Sequence, residues 1–218
     1  MADPRLDRIP HFDPRSKSFR AVTPRLAAKP PRSYTWRVVA APVLDQGREG
    51  ACTGFALAAE LAARPVEREG IDNNFAQRLY WQAQGVDRAE GRHYPEGATM
   101  LAVAKAGQRA GYFTSYKWAF GLDDLVTTLG YLGPVMLGVA WYESFYDPGA
   151  DHTLRIGGPV VGGHAILARG VDVRNQRVRL RNSWSEAYGD RGDVWVPFDV
   201  LDRLLRDNGE ALIPQGRA

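Results

Sequence analysis

The order of helical and strand patterns predicts an α+β fold for this chain of 218 residues. Helical patterns dominate residues 51–129, and strand patterns dominate residues 135–197. The change comes at Gly133-Pro134, after which runs of apolar and β-branched residues replace the helical spacing. Helices and strands that are segregated in this way are typical of a helical lobe packed against a β lobe.

The composition is that of an ordinary globular protein. Hydrophobic residues make up 44% of the chain and charged residues 24%, which is enough apolar material for a sizeable core. No apolar run approaches the ~20 residues that span a bilayer, and the N-terminus lacks the apolar segment of a secretory signal. The single cysteine excludes an internal disulfide. We therefore expect a cytoplasmic protein with no membrane partner, with release by lysis as the alternative.

Residues 1–33 predict an irregular, basic N-terminal arm ahead of one domain over residues 34–218. Six prolines fix the backbone and remove hydrogen-bond donors in this arm. Residues 1–37 carry nine basic and three acidic residues, a net charge of +6, which leaves −3 for the rest of the chain. The mildly acidic body gives no reason to expect nucleic acid as a partner of the main domain. The arm either lies along the surface or shields or docks something.

The first predicted elements after the arm are a strand and the helices of the helical lobe. Residues 34–39 alternate in the manner of a strand. Residues 51–63 are apolar on nearly every face, which is typical of a buried central helix, and Arg64-Pro65 ends it. Three more helices are predicted, with Asp72 or Asn73 capping the first of them and Gly111 closing the second. They cover residues 74–84, 98–109 and 122–129, and the helical lobe spans about residues 50–125.

Strands make up the second half of the chain. Residues 135–140 and 164–171 are short apolar runs, as in buried strands, and residues 177–182 alternate with period two. Residues 194–197 form a further predicted strand. The segments between these elements include polar or irregular loops at residues 85–97 and 141–162. The β lobe is expected to comprise about residues 34–45 and 130–218.

Cys52 stands where a glycine-rich turn gives way to the predicted central helix. The positive end of the helix macrodipole and the unpaired N–H groups there favour a thiolate over a thiol, which would make the sulfur a nucleophile. A lone cysteine is also a common buried residue with no reactivity. The choice between these interpretations depends on whether the chain offers a histidine base and amide side chains that could act together with Cys52.

His164 is the histidine best placed to act as a base. It follows Gly162-Gly163 and opens a buried strand, whose rigid neighbours would position the ring. His11, His93 and His152 lie in irregular or polar segments. A structural histidine with satisfied hydrogen bonds is the alternative for His164.

Two amide side chains complete a possible catalytic set. Asn182, at the end of the next strand, would accept a hydrogen bond from one ring nitrogen and so fix the histidine tautomer, with Trp184 covering that bond from water. Gln46, in the turn before Cys52, would form an oxyanion hole with the Cys52 backbone N–H. The alternative for Asn182-Ser183-Trp184 is a turn with a core tryptophan.

These motifs resemble those of the papain-like cysteine peptidases. The three segments Gln46-Gly47-x-x-Gly50-Ala51-Cys52-x-x-Phe55, Gly163-His164-Ala165 and Asn182-Ser183-Trp184 occur in the family's order and with compatible spacing. The resemblance covers about residues 34–200 and is closest to disulfide-free bacterial and phage members. It implies a two-lobe fold, with a helical left lobe, a β-barrel-like right lobe and the active-site cleft between them.

The resemblance also implies which residues bind the substrate. The substrate backbone is expected between Gly97-Ala98 on one side and Gly162-Gly163 on the other. The residues assigned to substrate binding are Gly97, Ala98, Thr99, Met100, Gly162, Gly163 and Trp184. No cofactor is implied, and the scattered histidines with one cysteine offer no metal site.

Four positions depart from the family pattern. Glu49 stands where many members have a disulfide cysteine, and Thr53 replaces the aromatic residue after the nucleophile. Ser185 replaces a glycine after the tryptophan, and Ala98 stands for the second glycine of the substrate segment. These changes leave the four catalytic positions intact but make the specificity pockets uncertain.

The leading hypothesis is therefore a cysteine peptidase that acts on a protein or peptide substrate through Cys52, His164, Asn182 and Gln46. One alternative is the same machinery used on a cell-wall peptide or an isopeptide link. Another is a papain fold that serves as a non-catalytic binding or assembly module, with the basic arm as its contact. The sequence does not indicate an oligomeric state.

Overall fold

Helices and strands alternate along the computed structural model, which describes residues 6–39 and 41–217. The helices are α1 (Pro24–Ala27), α2 (Cys52–Leu61), α3 (Asn73–Ala89), α4 (Met100–Arg109), α5 (Gly121–Tyr131) and α6 (Phe198–Arg206). The strands of the first half are β1 (Arg8–Ile9), β2 (Tyr34–Thr35), β3 (Ala98–Thr99) and β4 (Phe113–Trp118). Those of the second half are β5 (Val135–Tyr142), β6 (Val160–Asp172), β7 (Arg177–Arg181), β8 (Asp193–Pro197) and β9 (Glu210–Arg217).

The helical half is built around α2, all of whose residues are buried. The Asp72 side chain accepts a hydrogen bond from the Phe75 N–H and so caps α3, which decides between the two expected caps. Helix α3 runs on to Ala89, so the first part of the segment expected to be a loop is helical. Because α2, α3 and α4 share one buried cluster, they form the helical lobe that the sequence predicts.

One antiparallel sheet, built mostly from the second half of the chain, has the strand order β4-β9-β5-β6-β7-β8, and β2 pairs with β6. Strands β4 and β8 are its edges, so within the described residues the sheet stays open and does not close into a barrel. A second, smaller sheet joins β1 to β3 in parallel. The predicted α+β class is confirmed, and the barrel-like lobe is an open sheet.

The elements that the sequence-based assignment missed include β4, α6 and β9 in the body of the protein. The amphipathic helix α6 buries Leu201, Leu204 and Leu205 against the sheet cluster and keeps its charges outside. Strand β9 enters the sheet between the edge strand β4 and β5.

The N-terminal segment is partly ordered into short elements. It contains β1, a 3-10 helix at Pro14–Ser18 and α1, each of the last two with a proline at its start. None of the helices among the described residues is both long and apolar enough to cross a membrane.

Candidate active site

Cys52 is the first residue of α2 and is fully buried. The backbone of Ala165 in β6 lies close enough to the Cys52 sulfur to lower the pKa of its thiol. Since Ala165 directly follows His164, this contact holds the thiol beside the histidine predicted to be its base. The N-terminus of the central helix and the sheet meet at this point.

His164 and Asn182 are joined by a hydrogen bond of 2.8 Å between the ring Nε2 and the side-chain Oδ1, and both residues are buried. The Ser183 N–H also donates to Asn182 Oδ1, at 2.8 Å, which identifies that atom as the oxygen of the amide. Because an amide oxygen only accepts, His164 Nε2 carries the hydrogen. In the neutral ring, Nδ1 is then the basic nitrogen.

Two indole rings enclose this pair. The Trp141 ring centroid lies 4.6 Å from that of His164, and the Trp184 centroid lies 5.0 Å from it. Trp184 also packs edge-on against Tyr188 and stacks with Tyr146. The contacts of Trp184 are therefore those of a cover over the imidazole, as expected. The sequence assignment missed Trp141, although the apolar run of residues 135–140 continues into it.

The turn that carries Gln46 is hydrogen-bonded to the turn that follows Asn182. The Gln46 N–H donates to the Ser183 carbonyl oxygen at 3.0 Å, and the Ser185 N–H donates to the Leu44 carbonyl oxygen at 3.1 Å. The Ser183 hydroxyl donates to Gln46 Oε1 at 2.7 Å, while Gln46 Nε2 donates to the Glu49 carbonyl oxygen at 2.9 Å. These bonds orient the amide with its NH₂ group toward the turn before Cys52.

A stretch of the N-terminal arm lies over Cys52. The thiol donates a hydrogen bond of 3.1 Å to the carbonyl oxygen of Leu6, and Leu6 is itself fully buried. A Cβ placed on Gly97 would lie 2.0 Å from the Asp7 carbonyl oxygen, and one placed on Gly163 would lie 2.2 Å from that of Arg8. The arm backbone thus runs between the two glycine-containing walls, along the path predicted for a substrate.

The substrate residues assigned from the sequence surround this stretch to different degrees. Strand β1 pairs with Ala98 and Thr99, and Leu6 packs where a Cβ on Gly162 would be. The Thr99 hydroxyl is engaged elsewhere, because it donates to Asp87 and caps α4 through the Ala102 N–H. Met100 lies beside the Arg8 side chain. For a substrate these assignments remain predictions.

Glu210 is a charged residue of the cleft that the sequence assignment missed. Its carboxylate pairs with the Arg8 guanidinium, and both side chains are almost completely buried. Burial raises the pKa of Glu210 to about 7, and the neighbouring guanidinium offsets this only in part. The sequence signal that could have drawn attention to Glu210 is an acidic residue directly before the apolar run 211–213.

The electrostatics of Cys52 differ from the expectation of a thiolate. Burial raises the pKa of the Cys52 thiol to about 12, although the hydrogen bond from the Ala165 backbone lowers it. With the arm in place, loss of water outweighs the helix macrodipole. The expected thiolate is therefore wrong for the arm-covered protein, in which the sulfur is a neutral donor.

The positions that depart from the family pattern have local roles. The Glu49 carboxylate accepts hydrogen bonds from Gln77 Nε2 at 2.7 Å and from Trp81 Nε1 at 3.2 Å, which tie the turn before Cys52 to α3. Ser185 has a φ of 63°, a value that glycine adopts more readily. Thr53 is fully buried in α2.

Comparison with solved structures identifies the fold as that of the papain-like cysteine peptidases. The chain is similar to xylellain, a cysteine protease from Xylella fastidiosa, with a TM-score of 0.76 and 20% identity over 100% of this chain and 98% of that one. It is also similar to procathepsin L 3 of Tenebrio molitor, with a TM-score of 0.60 and 16% identity over 98% of this chain and 77% of that one. For a stem bromelain precursor the values are 0.61 and 16%, over 99% and 78%.

Sequence comparisons add nothing to this assignment. No protein-family model matches the chain, and no curated protein matches it. The papain-like fold that the sequence motifs predict is confirmed by these structures. The sequence identities of 20% and 16% support the shared fold and nothing further.

Proposed function

We propose that this chain is a papain-like thiol hydrolase, a cysteine peptidase that cleaves peptide bonds by acyl transfer. The observation that carries the proposal is one buried arrangement. Cys52 at the N-terminus of α2 lies beside the backbone of the residue after His164, and His164 Nε2 is 2.8 Å from Asn182 Oδ1. A nucleophile, a base and a group that orients the base are the parts that nucleophilic catalysis requires.

Catalysis begins when Cys52 transfers its proton to Nδ1 of His164. The sulfur then attacks the peptide carbonyl carbon and forms a tetrahedral intermediate, whose oxyanion accepts hydrogen bonds from Gln46 Nε2 and the Cys52 N–H. His164 gives its proton to the leaving amine as the C–N bond breaks, which leaves a thioester. Water, deprotonated by His164, then releases the carboxylic acid and restores the thiol.

Asn182 supports this cycle by holding one tautomer. Because its Oδ1 accepts from Nε2, proton exchange with the sulfur and the leaving amine falls to Nδ1. The adjacent indole rings of Trp141 and Trp184 exclude water from the Nε2 bond, which strengthens it.

The protein or peptide substrate takes the place that the arm occupies. Leu6 covers the sulfur, so substrate access requires the arm to leave the cleft. Two of the similar structures are of precursors by their names, procathepsin L 3 and stem bromelain precursor, which agrees with a covered site.

A thiol-directed epoxide inhibitor tests the proposal, with intact-mass detection of the product. We expect slow modification at Cys52 in the wild-type chain under reducing conditions and faster modification in Arg8→Ala, which loosens the arm. His164→Ala should remove the labelling in both backgrounds, because the sulfur loses its base. Since Cys52 is the single cysteine, Cys52→Ala is the blank. Labelling that is unaffected by His164→Ala, or absent from Arg8→Ala, would contradict the proposal.

A further inference from the structure

Strand β6 carries a β-bulge at Arg169. Its ladder with β7 pairs Ala168 with Leu180. The next pair is Gly170 with Arg179, which leaves Arg169 as an extra residue with no ladder partner on β7. Two residues of β6 thus stand opposite one residue of β7, and a bulge of this kind beside an active site re-aims side chains.

The bulge decides which residues of β6 face the interior on the catalytic side of the sheet. Residues that are directly opposite in a ladder point to the same face, and alternate residues of a strand share a face. Before the bulge, the even-numbered residues of β6, among them His164, therefore share a face with Asn182. After the bulge the odd-numbered Val171 takes this face, because it pairs with the buried Val178. Without the extra residue, a strand that kept Val171 in the core would turn His164 to the opposite face.

A short piece of ladder lies between the bulge and the catalytic pair. It consists of two pairs, Ala168 with Leu180 and Leu167 with Arg181, and Asn182 follows directly. Two pairs hold a register weakly by themselves. A slip of one residue at the bulge would therefore be passed on to the catalytic histidine and its orienting amide.

The Arg169 side chain ties the bulge to β8 and to the residue after β2. Its guanidinium makes two hydrogen bonds to the Asp193 carboxylate, one of them from Nε at 3.0 Å, and its Nη1 donates to the Trp36 carbonyl oxygen at 3.1 Å. The Trp36 N–H donates in turn to the Arg169 carbonyl oxygen at 2.7 Å. Asp193 also accepts from Arg181 Nε at 2.6 Å, and Arg181 directly precedes Asn182. One carboxylate thus joins the bulge of β6 to the end of β7.

The charge of this cluster is not explained by stability alone. Asp193 is 2% exposed and Arg169 is 7% exposed, and Arg179 pairs with the same carboxylate as well. Burial raises the pKa of Asp193, but the hydrogen bonds from Arg169 and Arg181 lower it further, so the net shift is downward and the group is charged at neutral pH. Packed apolar residues often replace a buried ion pair without loss of stability, and the best-attested use of buried polar groups is to fix a register.

We propose that Arg169 is a positioning residue for the peptidase reaction. Its ion pair with Asp193 holds the bulge, and the bulge places His164 on the face that Asn182 occupies. Because Asp193 pairs with Arg181 in the ladder between β7 and β8, its carboxylate lies on the face opposite Asn182. Arg169 therefore acts through the strand and touches no reacting atom. The inference rests on the proposed function and goes beyond it.

The test compares Arg169→Met with Arg179→Met. Each variant takes one guanidinium from Asp193, which keeps two others, and methionine retains an apolar stem. Arg179 is an ordinary ladder residue of β7, so its variant is the matched control for the loss of charge. Arg169→Lys restores a cation without the planar fork and should recover part of the loss. Arg169→Gln replaces Arg169→Met if the latter does not unfold cooperatively.

The Nε2–H proton of His164 reports the position of the ring without any turnover. In the full-length chain with isotopically labelled histidine, we expect a downfield N–H resonance that is absent from His164→Ala, because the hydrogen bond to Asn182 slows exchange of this proton. The resonance should be lost in Arg169→Met and retained in Arg179→Met. A resonance that persists unshifted in Arg169→Met would overturn the inference, whatever the stability of that variant.

Peptide cleavage in the Arg8→Ala background measures the consequence for the reaction. Arg169→Met should lower kcat at least ~10-fold with little change in KM, because a misplaced base affects the transition state more than substrate binding. Arg179→Met should keep the kcat of the background. An unchanged kcat in Arg169→Met would overturn the positioning role, even with a lower melting temperature. Loss of the Nε2–H resonance in Arg169→Met, with no cleavage by the background itself, would overturn the peptidase function and leave the role of the bulge intact.

Discussion

Ser183 connects the groups assigned to the chemistry, although it takes no part in it. Its N–H donates to Asn182 Oδ1, its carbonyl oxygen accepts from the Gln46 N–H, and its hydroxyl donates to Gln46 Oε1. One buried serine therefore fixes the side-chain amides of both Asn182 and Gln46. Without these bonds either amide could rotate by about 180°, which would put its NH₂ donor where its acceptor oxygen is needed.

We expect Gln46→Ala to lower kcat about 10²-fold, with little change in KM, because it removes a donor to the oxyanion that forms only during reaction. Ser183→Ala should have a smaller effect in the same direction, since it frees the amide to turn. Steady-state kinetics on one peptide substrate measures both. Gln82→Ala, on the exposed face of α3, is the control and should behave as wild type. A Gln46→Ala variant that changed KM alone would place the amide in substrate binding.

The residues that the structure brings together at Cys52 could be located from the sequence, because each lies in a local motif whose spacing carries the signal. Glu210 could not be located in this way. Its place beside Arg8 depends on β9 lying next to β5 and on the absence of a side chain at Gly138. Both are contacts between segments that are far apart in the sequence, so a local motif does not indicate them. The sequence likewise left open whether the arm lies along the surface or shields a site such as the thiol. Amino-acid composition does not indicate where an irregular segment packs.

Asp87 joins α3 to the wall of the cleft. Its carboxylate accepts from the Thr99 N–H and hydroxyl, each at 2.9 Å, and from Arg92 Nε at 2.7 Å. These bonds hold the start of α4 and β3, the strand that pairs with the arm. The sequence places Asp87 in a loop, because Gly85 interrupts the helical pattern. Burial of Val86 and Asp87 outweighs the low helix propensity of that glycine, so α3 continues.

Asp87→Ala is expected to destabilise the protein by about 3 kcal/mol, because it leaves buried donors and the Arg92 guanidinium without their acceptor. Thr99→Val should cost about 1 kcal/mol through loss of the hydroxyl bond and the helix cap, while Thr99→Ser retains both. Urea unfolding followed by circular dichroism measures the free energies. Equal stability of Asp87→Ala and wild type would show that this junction does not hold the cleft wall.

The basic arm is attached to the acidic body at several separate points along its described residues. Leu6 to Ile9 lie in the cleft, and Phe12 packs edge-on against Trp118 with the ring centroids 5.9 Å apart. Arg20 pairs with the buried Asp124 at 2.6 Å, and the Tyr131 hydroxyl donates to the Pro30 carbonyl oxygen at 2.8 Å. Because these contacts are distributed, loss of the cleft segment alone leaves the rest of the arm in place.

We expect the arm to control the ionisation of the Cys52 thiol, because Leu6 covers the sulfur, and the pH dependence of thiol alkylation measures this. With the pKa of Cys52 raised by burial to about 12, iodoacetamide should react slowly with the native wild-type chain. Its rate should rise about tenfold per pH unit between pH 7 and 9 without a plateau, because the thiolate is the reactive species. The raised pKa means that the buried thiol contributes stability below its ordinary pKa of 9.0, and that this contribution is lost as the pH rises toward 12.

Displacing the cleft segment should reverse this behaviour. In Arg8→Ala, water and the helix N-terminus reach the sulfur, so we expect a faster reaction at pH 7 and a plateau at lower pH than in the wild type. The urea-unfolded chain is the reference, since its thiol should titrate near its ordinary pKa of 9.0 and is the single site of modification. A native wild-type chain with a plateau below pH 9 would show that Leu6 does not control the thiol. The arm would then be a surface segment, and substrate access would need no rearrangement of the N-terminus.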